Sequence, residues 1–215
     1  MFDAKAFLFD LNGTMIDDMH YHIKSWHTIL IELGAEISLE KTKTECYGKN
    51  DEFLERIFPG RFNLEEKKKL GFAKEQKYQK EYLPYLQLLP GLDAFLEMGK
   101  ANNIAMGIGS AAIQFNIDFV IDNLKIRNYF DAIVSADDVQ ISKPDPETFL
   151  SCAKKLQIEP ADCIVFEDAI KGVEAALNAK MRCVVLTTMH QADEFAQFPN
   201  VIKIIKDYTE FQFFN

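Results

Sequence analysis

The 215-residue sequence predicts an α/β fold in which a doubly wound parallel sheet carries an inserted helical domain. Three observations favour this class. Short apolar runs without polar alternation recur along the chain, and such runs suit strands buried on both faces of a parallel sheet. Helical segments separate most of the runs, as right-handed βαβ units require. One long stretch after the first run has helical spacing and no convincing strand.

The predicted strands start close to the N-terminus and resume in the second half of the chain. They are Ala6–Phe9, Ile104–Ile108, Ala132–Val134, Ile164–Phe166, Cys183–Leu186 and Val201–Ile205. Helices are predicted between them over Leu92–Lys100, Phe115–Leu124, Pro146–Leu156 and Lys171–Asn178. Because each helix crosses from one strand to the next, the strands should lie parallel in one sheet.

The long stretch after the first strand is predicted to be a separate helical domain. Its apolar residues, such as Ile23 and Trp26, follow helical spacing, and it is rich in Lys and Glu. Pro84 marks the return to the sheet. We therefore place the helical domain at residues 17–83 and the sheet domain at residues 1–16 and 84–215.

Charge and composition exclude several classes of partner. The net charge of −9 argues against nucleic acid or an anionic membrane, since both require clustered positive charge. The first apolar run is too short for a signal peptide or a membrane span, so we expect a cytoplasmic protein and take a monomer as the working expectation. The four cysteines lack zinc spacing and are expected to be reduced. The charged run Lys74–Lys80 is expected to be a solvated helix face.

Polar residues follow four of the predicted strands, at the edge of an open α/β sheet where ligands bind. They are Asp10 and Asn12 after the first strand, Ser110 after the second, Lys143 after the third, and Glu167 and Asp168 after the fourth. Because the carboxyl ends of parallel strands meet at one edge, we expect these side chains to converge.

This set of residues fits phosphoryl transfer. Asp10 and Asp168 offer the carboxylate oxygens that Mg²⁺ prefers. The metal and Lys143 would neutralise a phosphate dianion, so that a negatively charged carboxylate could approach phosphorus. Asp10 would then be the nucleophile and form an aspartyl-phosphate that a second acceptor resolves, while Ser110 donates a hydrogen bond to a phosphate oxygen.

Four motifs in these segments resemble those of the haloacid dehalogenase superfamily of phosphotransferases. Residues 10–14 resemble its first motif, D-x-D-G-[TV], and Ser110 stands at the Ser/Thr position of the second. Residues 143–149 resemble the third motif, K-P-x-P-x-x-F, and residues 165–172 the fourth, h-h-E-D-[AS]-x-x-G. The order and spacing hold over essentially the whole chain. The resemblance implies a Rossmann-like core with a helical cap, as in the β-phosphoglucomutase-like branch, which also contains sugar-phosphate phosphatases.

One departure from the family pattern affects the expected chemistry. Asn12 stands where the family has an Asp that protonates the leaving oxygen and then deprotonates the incoming nucleophile. An amide cannot do this, and the loss of general acid–base catalysis typically costs ~10²–10⁴-fold in rate. The family's metal ligand at this position is the backbone carbonyl. The implied metal ligands are therefore Asp10, the Asn12 carbonyl and Asp168, with Glu167 acting directly or through water.

The resemblance also extends into the helical domain. Residues 21–26 are similar to the first cap helix of the β-phosphoglucomutase-like branch, where a His and a later Lys face the active site. These match His22 and Lys74, and Gly48-Lys49 resembles the cap loop of the family. The resemblance therefore implies that His22, Lys49 and Lys74 contact the substrate, although an isolated Lys or His on a charged helix is more often solvated.

Three functions remain open on the sequence. The leading interpretation is a Mg²⁺-dependent phosphatase whose partner is a small phosphorylated metabolite, a sugar phosphate by resemblance. The alternative is a β-phosphoglucomutase-type mutase, which depends more on acid–base catalysis and is therefore weakened more by Asn12. The third is a catalytically weakened protein that binds phosphate and metal.

Overall fold

The computed structural model describes residues 3–211, and the chain divides into two compact units. One unit comprises residues 1–17 and 87–215, and the other comprises residues 18–86. Among the described residues, no helix combines the length and apolar content that crossing a membrane would require. All four cysteines are outside any disulfide bond.

The first unit is built on a sheet of six parallel strands in the order β3-β2-β1-β4-β5-β6. The strands are β1 (Ala6–Phe9), β2 (Ala105–Gly109), β3 (Ala132–Val134), β4 (Cys163–Glu167), β5 (Arg182–Leu186) and β6 (Val201–Ile205). Each predicted strand is present with its ends within one residue of the prediction. The doubly wound, Rossmann-like α/β fold is thus confirmed.

Eight α-helices lie within the described residues, four in each unit. Those of residues 18–86 are α1 (Met19–Glu32), α2 (Leu39–Glu45), α3 (Asn50–Ile57) and α4 (Leu64–Tyr82). Those of the sheet unit are α5 (Leu92–Ala101), α6 (Gln114–Asn123), α7 (Glu147–Leu156) and α8 (Ile170–Asn178). The second unit is therefore entirely helical in its regular structure.

Strand β1 lies in the centre of the sheet and is buried on both faces. Its alternate residues face opposite sides, so Leu8 joins the apolar cluster that includes Phe149 of α7. Phe7 and Phe9 face the other side, where Phe7 stacks on Phe95 of α5 with ring centroids 5.2 Å apart. Complete burial of both faces explains why this strand reads as a continuous apolar run.

The strand order creates a switch point beside β1. From β1 the chain adds β2 and β3 on one side, and it then crosses to place β4 on the other side. β1 pairs with β4, and Asp10 extends this pairing by one residue, because its backbone N–H donates to the Phe166 carbonyl at 3.0 Å. In open α/β sheets the crevice at such a point is the usual ligand site, so the ends of β1 and β4 are where chemistry is expected.

The helical unit has its own hydrophobic core, formed by Trp26, Leu30, Phe53 and Leu54. The prediction that the run Lys74–Lys80 is a solvated face was wrong at its start, because Lys74 is only 2% exposed. Glu75 is buried beside it and pairs with the Lys74 ammonium group at 3.0 Å. A buried ion pair can replace hydration where hydrogen bonds complete it, which the spacing of charges alone does not reveal.

Candidate active site

A buried lysine joins two of the strand-end carboxylates. Asp10 directly follows β1, Glu167 ends β4, and Lys143 lies in the segment between β3 and α7. The Lys143 ammonium donates to Asp10 Oδ1 at 2.7 Å and to Glu167 Oε1 at 2.8 Å. Burial alone would lower the pKa of Lys143, but the charges of Asp10 and Glu167 raise it above its usual value. The lysine is therefore a fixed positive charge at the end of the central strands.

Asp168 completes the group from the residue after β4. The Thr14 hydroxyl donates to its Oδ1 at 3.3 Å, and the Thr188 hydroxyl lies 3.3 Å from its Oδ2. Burial raises the pKa of Asp168 well above its usual value, and the charges of Glu167 and Asp10 raise it further. An uncompensated negative charge at this place is thus costly, which favours a cation beside it.

Two motif glycines are required by the packing of these carboxylates. Gly13 has a φ of +77°, and a Cβ there would lie 2.0 Å from Asp168 Oδ2. A Cβ on Gly172 of α8 would lie 1.7 Å from Glu167 Oε1. Each carboxylate therefore occupies the space that a side chain would take, and the glycines let the backbone approach the acids closely.

The acids form a candidate site for a divalent cation. Ligand oxygens of Asp10, Glu167 and Asp168 all lie within 4.8 Å of one another, and the three residues are buried. Within the described residues, Lys143 pairs with Asp10 and Glu167 and with no more than these two acids, so Asp168 has no cation of its own among the contacts of Lys143. A donor set of oxygen atoms alone suits a hard cation such as Mg²⁺, so the residues fit the metal that the family resemblance implies.

Ser110 and Asn12 lie at the same edge of the sheet. Ser110 directly follows β2, the neighbour of β1, and its hydroxyl oxygen accepts a hydrogen bond from the Ala112 amide at 3.1 Å. Asn12 is half-buried, and the backbone beside it is held by a bond from Gly13 N–H to the Ile16 carbonyl at 2.8 Å. Both residues thus follow neighbouring strands, β2 and β1, at the carboxyl edge of the sheet.

The three remaining predicted residues belong to the helical unit. Lys74 donates to His22 Nδ1, since an ammonium group has no acceptor. The proton on Nε2 therefore points to Asp18 Oδ2, 3.2 Å away. Lys49 is half-buried at the start of α3, where its backbone N–H donates to Glu52 at 3.0 Å. Contact of His22, Lys49 and Lys74 with a substrate stays a prediction.

Sequence reasoning missed three residues that support the site. Thr14 and Thr188 contact Asp168, and the buried Tyr208 hydroxyl donates to the Thr14 carbonyl at 3.1 Å. Thr188 carried a usable signal, because it follows β5 as the predicted residues follow their strands. Tyr208 carried none, since its partner lies 194 positions away in the chain.

Comparisons with known proteins find similar sequences and a similar fold. A sequence model of the family described as haloacid dehalogenase-like hydrolase matches residues 7–186. The β-phosphoglucomutase of Bacillus subtilis is 33% identical over 187 residues, covering 84% of this chain and 82% of that protein. A fructose-1-phosphate phosphatase of Escherichia coli is 31% identical over 182 residues, covering 82% and 93%. A crystal structure of β-phosphoglucomutase from Clostridium difficile matches with a TM-score of 0.84 at 28% identity, covering 98% of this chain and 94% of that one.

Proposed function

Because the chain belongs to the haloacid dehalogenase-like hydrolase family, we propose that it is a Mg²⁺-dependent phosphatase of small phosphomonoesters, with a sugar phosphate as substrate. One observation carries the proposal. Lys143 holds Asp10 at the end of the central strand, inside a cluster of acids at the switch point of the sheet. A carboxylate in this position is oriented by its lysine partner and can act as a nucleophile.

In the proposed reaction Asp10 attacks phosphorus, and the bond from phosphorus to the substrate oxygen breaks. The phosphoryl group thereby moves to the Asp10 carboxylate, and the departing substrate oxygen takes up a proton from water. Lys143, 2.7 Å from Asp10 Oδ1, orients the carboxylate and offsets the charge of the incoming phosphate. Ser110 donates its hydroxyl to a phosphate oxygen. Water then attacks the aspartyl-phosphate, which releases inorganic phosphate and regenerates Asp10.

Mg²⁺ would be held by Asp10, Asp168 and the backbone carbonyl of Asn12, with Glu167 acting directly or through water. When bound, the ion neutralises charge on the transferring phosphoryl group. The three buried acids, whose ligand oxygens lie within 4.8 Å of one another, support this assignment. By resemblance, His22, Lys49 and Lys74 are proposed substrate contacts, and their replacement by Ala should raise KM.

A panel of sugar phosphates and simple phosphomonoesters, assayed with and without Mg²⁺, tests the proposal. We expect Mg²⁺-dependent release of inorganic phosphate and a phosphorylated enzyme in acid-quenched samples. The matched variant is Asp10→Asn, which keeps the size of the side chain and removes the nucleophile. Equal turnover by Asp10→Asn and the natural chain would exclude the aspartyl-phosphate route.

A mutase is the second candidate, because the relative that is a β-phosphoglucomutase is as similar as the phosphatase. Adding a catalytic amount of a sugar bisphosphate separates the two. A mutase would convert one sugar monophosphate into its isomer with the total of sugar phosphate unchanged. A phosphatase would release phosphate at the same rate with or without the bisphosphate. Binding of Mg²⁺ and phosphate with no turnover of any substrate would instead support a binding protein.

A further inference from the structure

We propose that Thr188 is a positioning residue for the cation site, which ties the Gly13 peptide to the Asp168 carboxylate and thereby sets the affinity for Mg²⁺. Thr188 is the second residue after β5 and lies outside the four motifs. The inference rests on the proposed function only in that it takes Mg²⁺ as the cation. Its chemistry is that of an outer hydrogen-bonding partner that holds a metal ligand in place.

The contacts of Thr188 reach both segments that supply the cation site. Its hydroxyl donates to the Gly13 carbonyl at 2.6 Å, and the same oxygen lies 3.3 Å from Asp168 Oδ2. Asn12 directly precedes Gly13, so its carbonyl group, one proposed ligand, is part of the peptide bond to the Gly13 nitrogen. Asp168 is another proposed ligand. Thr188 therefore contacts one proposed ligand, Asp168, and the residue next to another, Asn12, although these two ligands are 156 positions apart in the sequence.

Because Gly13 packs tightly against Asp168, the Thr188 contact restricts the position of the Gly13 loop. The space where a Gly13 Cβ would stand is filled by the Asp168 carboxylate, 2.0 Å from Oδ2. The loop and the carboxylate are thus in close contact, and a shift of one displaces the other. The Thr188 hydroxyl has one proton, which it donates to the nearer Gly13 carbonyl, and its oxygen lies beside Asp168 Oδ2, so the residue restrains the loop next to the carboxylate. Without the hydroxyl, the Gly13 carbonyl loses a short hydrogen bond and Asp168 loses one of its polar neighbours.

The neighbouring residue provides a matched control. Thr187 is also half-buried, but its hydroxyl donates to the Ile205 carbonyl of β6 at 3.3 Å. The two threonines thus differ in the direction of the side chain rather than in type or exposure. A change that removes either hydroxyl while keeping the branched shape is Thr→Val. Only Thr188→Val is expected to disturb the acids.

The test measures Mg²⁺ binding by titration calorimetry in the full chain, with thermal unfolding as a second readout. We expect Thr188→Val to weaken Mg²⁺ affinity by ~10–100-fold, as loss of an outer-shell partner typically does. Thr188→Ser should bind nearly as the natural chain does, and Thr187→Val should be unchanged. Saturating Mg²⁺ should restore most of kcat in Thr188→Val, because the residue does not touch the substrate in this proposal.

Natural affinity in Thr188→Val would overturn the inference, as would an equal loss in Thr187→Val. If Thr188→Val does not fold, the comparison moves to Thr188→Ala, which leaves space for the loop to relax and must show the same selective loss. A natural chain that does not bind Mg²⁺ would overturn both this inference and the metal in the proposed function. Normal binding in the natural chain and in Thr188→Val would remove only the role of Thr188.

Discussion

Asn12 is the residue at which local chemistry most constrains the proposed reaction. A carboxylate at this place could move a proton between the reacting oxygens and the solvent, whereas an amide can only hydrogen-bond. The surrounding backbone is nevertheless held in order, with Gly13 N–H bonded to Ile16 and the Gly13 carbonyl bonded to Thr188. Binding of metal and phosphate should therefore be near normal, and the loss should fall on the steps that need a proton.

We predict that Asn12→Asp raises kcat on a sugar phosphate by at least tenfold, about 1.4 kcal/mol of barrier. A sugar alkoxide is a poor leaving group, so its departure needs the proton that the new carboxyl supplies. The nitrophenolate group of p-nitrophenyl phosphate leaves without a proton. In a first-turnover measurement, leaving-group release should therefore rise strongly for the sugar phosphate and little for p-nitrophenyl phosphate.

Equal gains for both leaving groups in the first turnover would contradict this account of Asn12. An unchanged kcat would mean that another group supplies the proton. Asn12 precedes Gly13 in the only Asn-Gly pair of the sequence, and such pairs are prone to lose ammonia. The control is therefore peptide mass analysis of the natural chain, because a deamidated fraction would itself carry the aspartate and add activity.

Gly172→Ala is predicted to destabilise the protein although it places a better helix former in α8. Alanine favours a helix interior over glycine by about 1 kcal/mol. The added Cβ would, however, meet Glu167 Oε1 at 1.7 Å. Glu167 cannot swing away freely, because Lys143 and the amide of Asp168, 2.8 Å from its Oε2, hold the carboxylate. Overpacking of this kind costs about 1–3 kcal/mol. Gly172 lies in the first turn of α8, where the helix gain is smaller than in the interior, so we expect a net loss.

Urea unfolding of Gly172→Ala, with Mg²⁺ titration alongside, checks this prediction. The matched control is Gly99→Ala, since Gly99 is also buried in a helix of the sheet unit. A Cβ there would meet the sulfur of Met106 at 2.9 Å, and that side chain is flexible enough to give way. A midpoint for Gly172→Ala at or above that of the natural chain would show that Glu167 relocates at no cost.

Among the elements, the positions of the strands could be predicted from the sequence, but the long-range hydrogen bonds that support the site could not. β1 and β4 are buried on both faces, so their sequences are unbroken apolar runs whose ends are visible. The polar residues that follow the strands were found by the same rule, and the structure brings Asp10, Lys143 and Asp168 together. The contact between Tyr208 and Thr14 depends on how the turn Tyr208–Glu210 packs against the sheet, which local spacing does not encode.

Tyr208→Phe tests the contribution of the turn Tyr208–Glu210. The Tyr208 ring is buried against Phe166, with centroids 5.8 Å apart, and its hydroxyl donates to the Thr14 carbonyl. Burial and the charges of Asp10 and Asp168 raise the pKa of Tyr208 well above its usual value, so the hydroxyl stays protonated and donates. Phenylalanine keeps the packing and leaves a buried carbonyl without this donor. We expect a loss of about 1–3 kcal/mol in the free energy of unfolding.

Chemical denaturation measures that loss, and Tyr129→Phe is the control. Tyr129 donates its hydroxyl to Glu97 at the protein surface, where water can replace the partner. Its removal should change the free energy of unfolding by less than about 0.5 kcal/mol. Similar losses for the two substitutions would mean that the Thr14 carbonyl finds another donor, and that the turn does not support the first-motif loop.

In the whole molecule, the tryptophan that serves as a fluorescence probe and the candidate cation site lie in different units. Trp26, the only tryptophan, is 2% exposed in the core of the helical unit with Phe53 and Leu54. The acid cluster of Asp10, Glu167 and Asp168 belongs to the sheet unit. Each unit has a hydrophobic core of its own, and proteins built in this way often depart from two-state unfolding.

We therefore predict that Mg²⁺ stabilises the sheet more than it stabilises the surroundings of Trp26. A ligand that binds only the folded state adds about 2.7 kcal/mol at a concentration of 100 Kd, and this gain goes to the unit that binds it. Amide hydrogen exchange of peptides from β1 and β4 should slow on Mg²⁺ addition, while the thermal midpoint of Trp26 fluorescence shifts less. In Asp168→Asn, Mg²⁺ addition should no longer slow amide hydrogen exchange in β1 and β4, because the variant lacks a proposed ligand. Equal stabilisation at the strands and at Trp26 would show one cooperative unit, and unchanged exchange in β1 and β4 would count against a cation at the acid cluster.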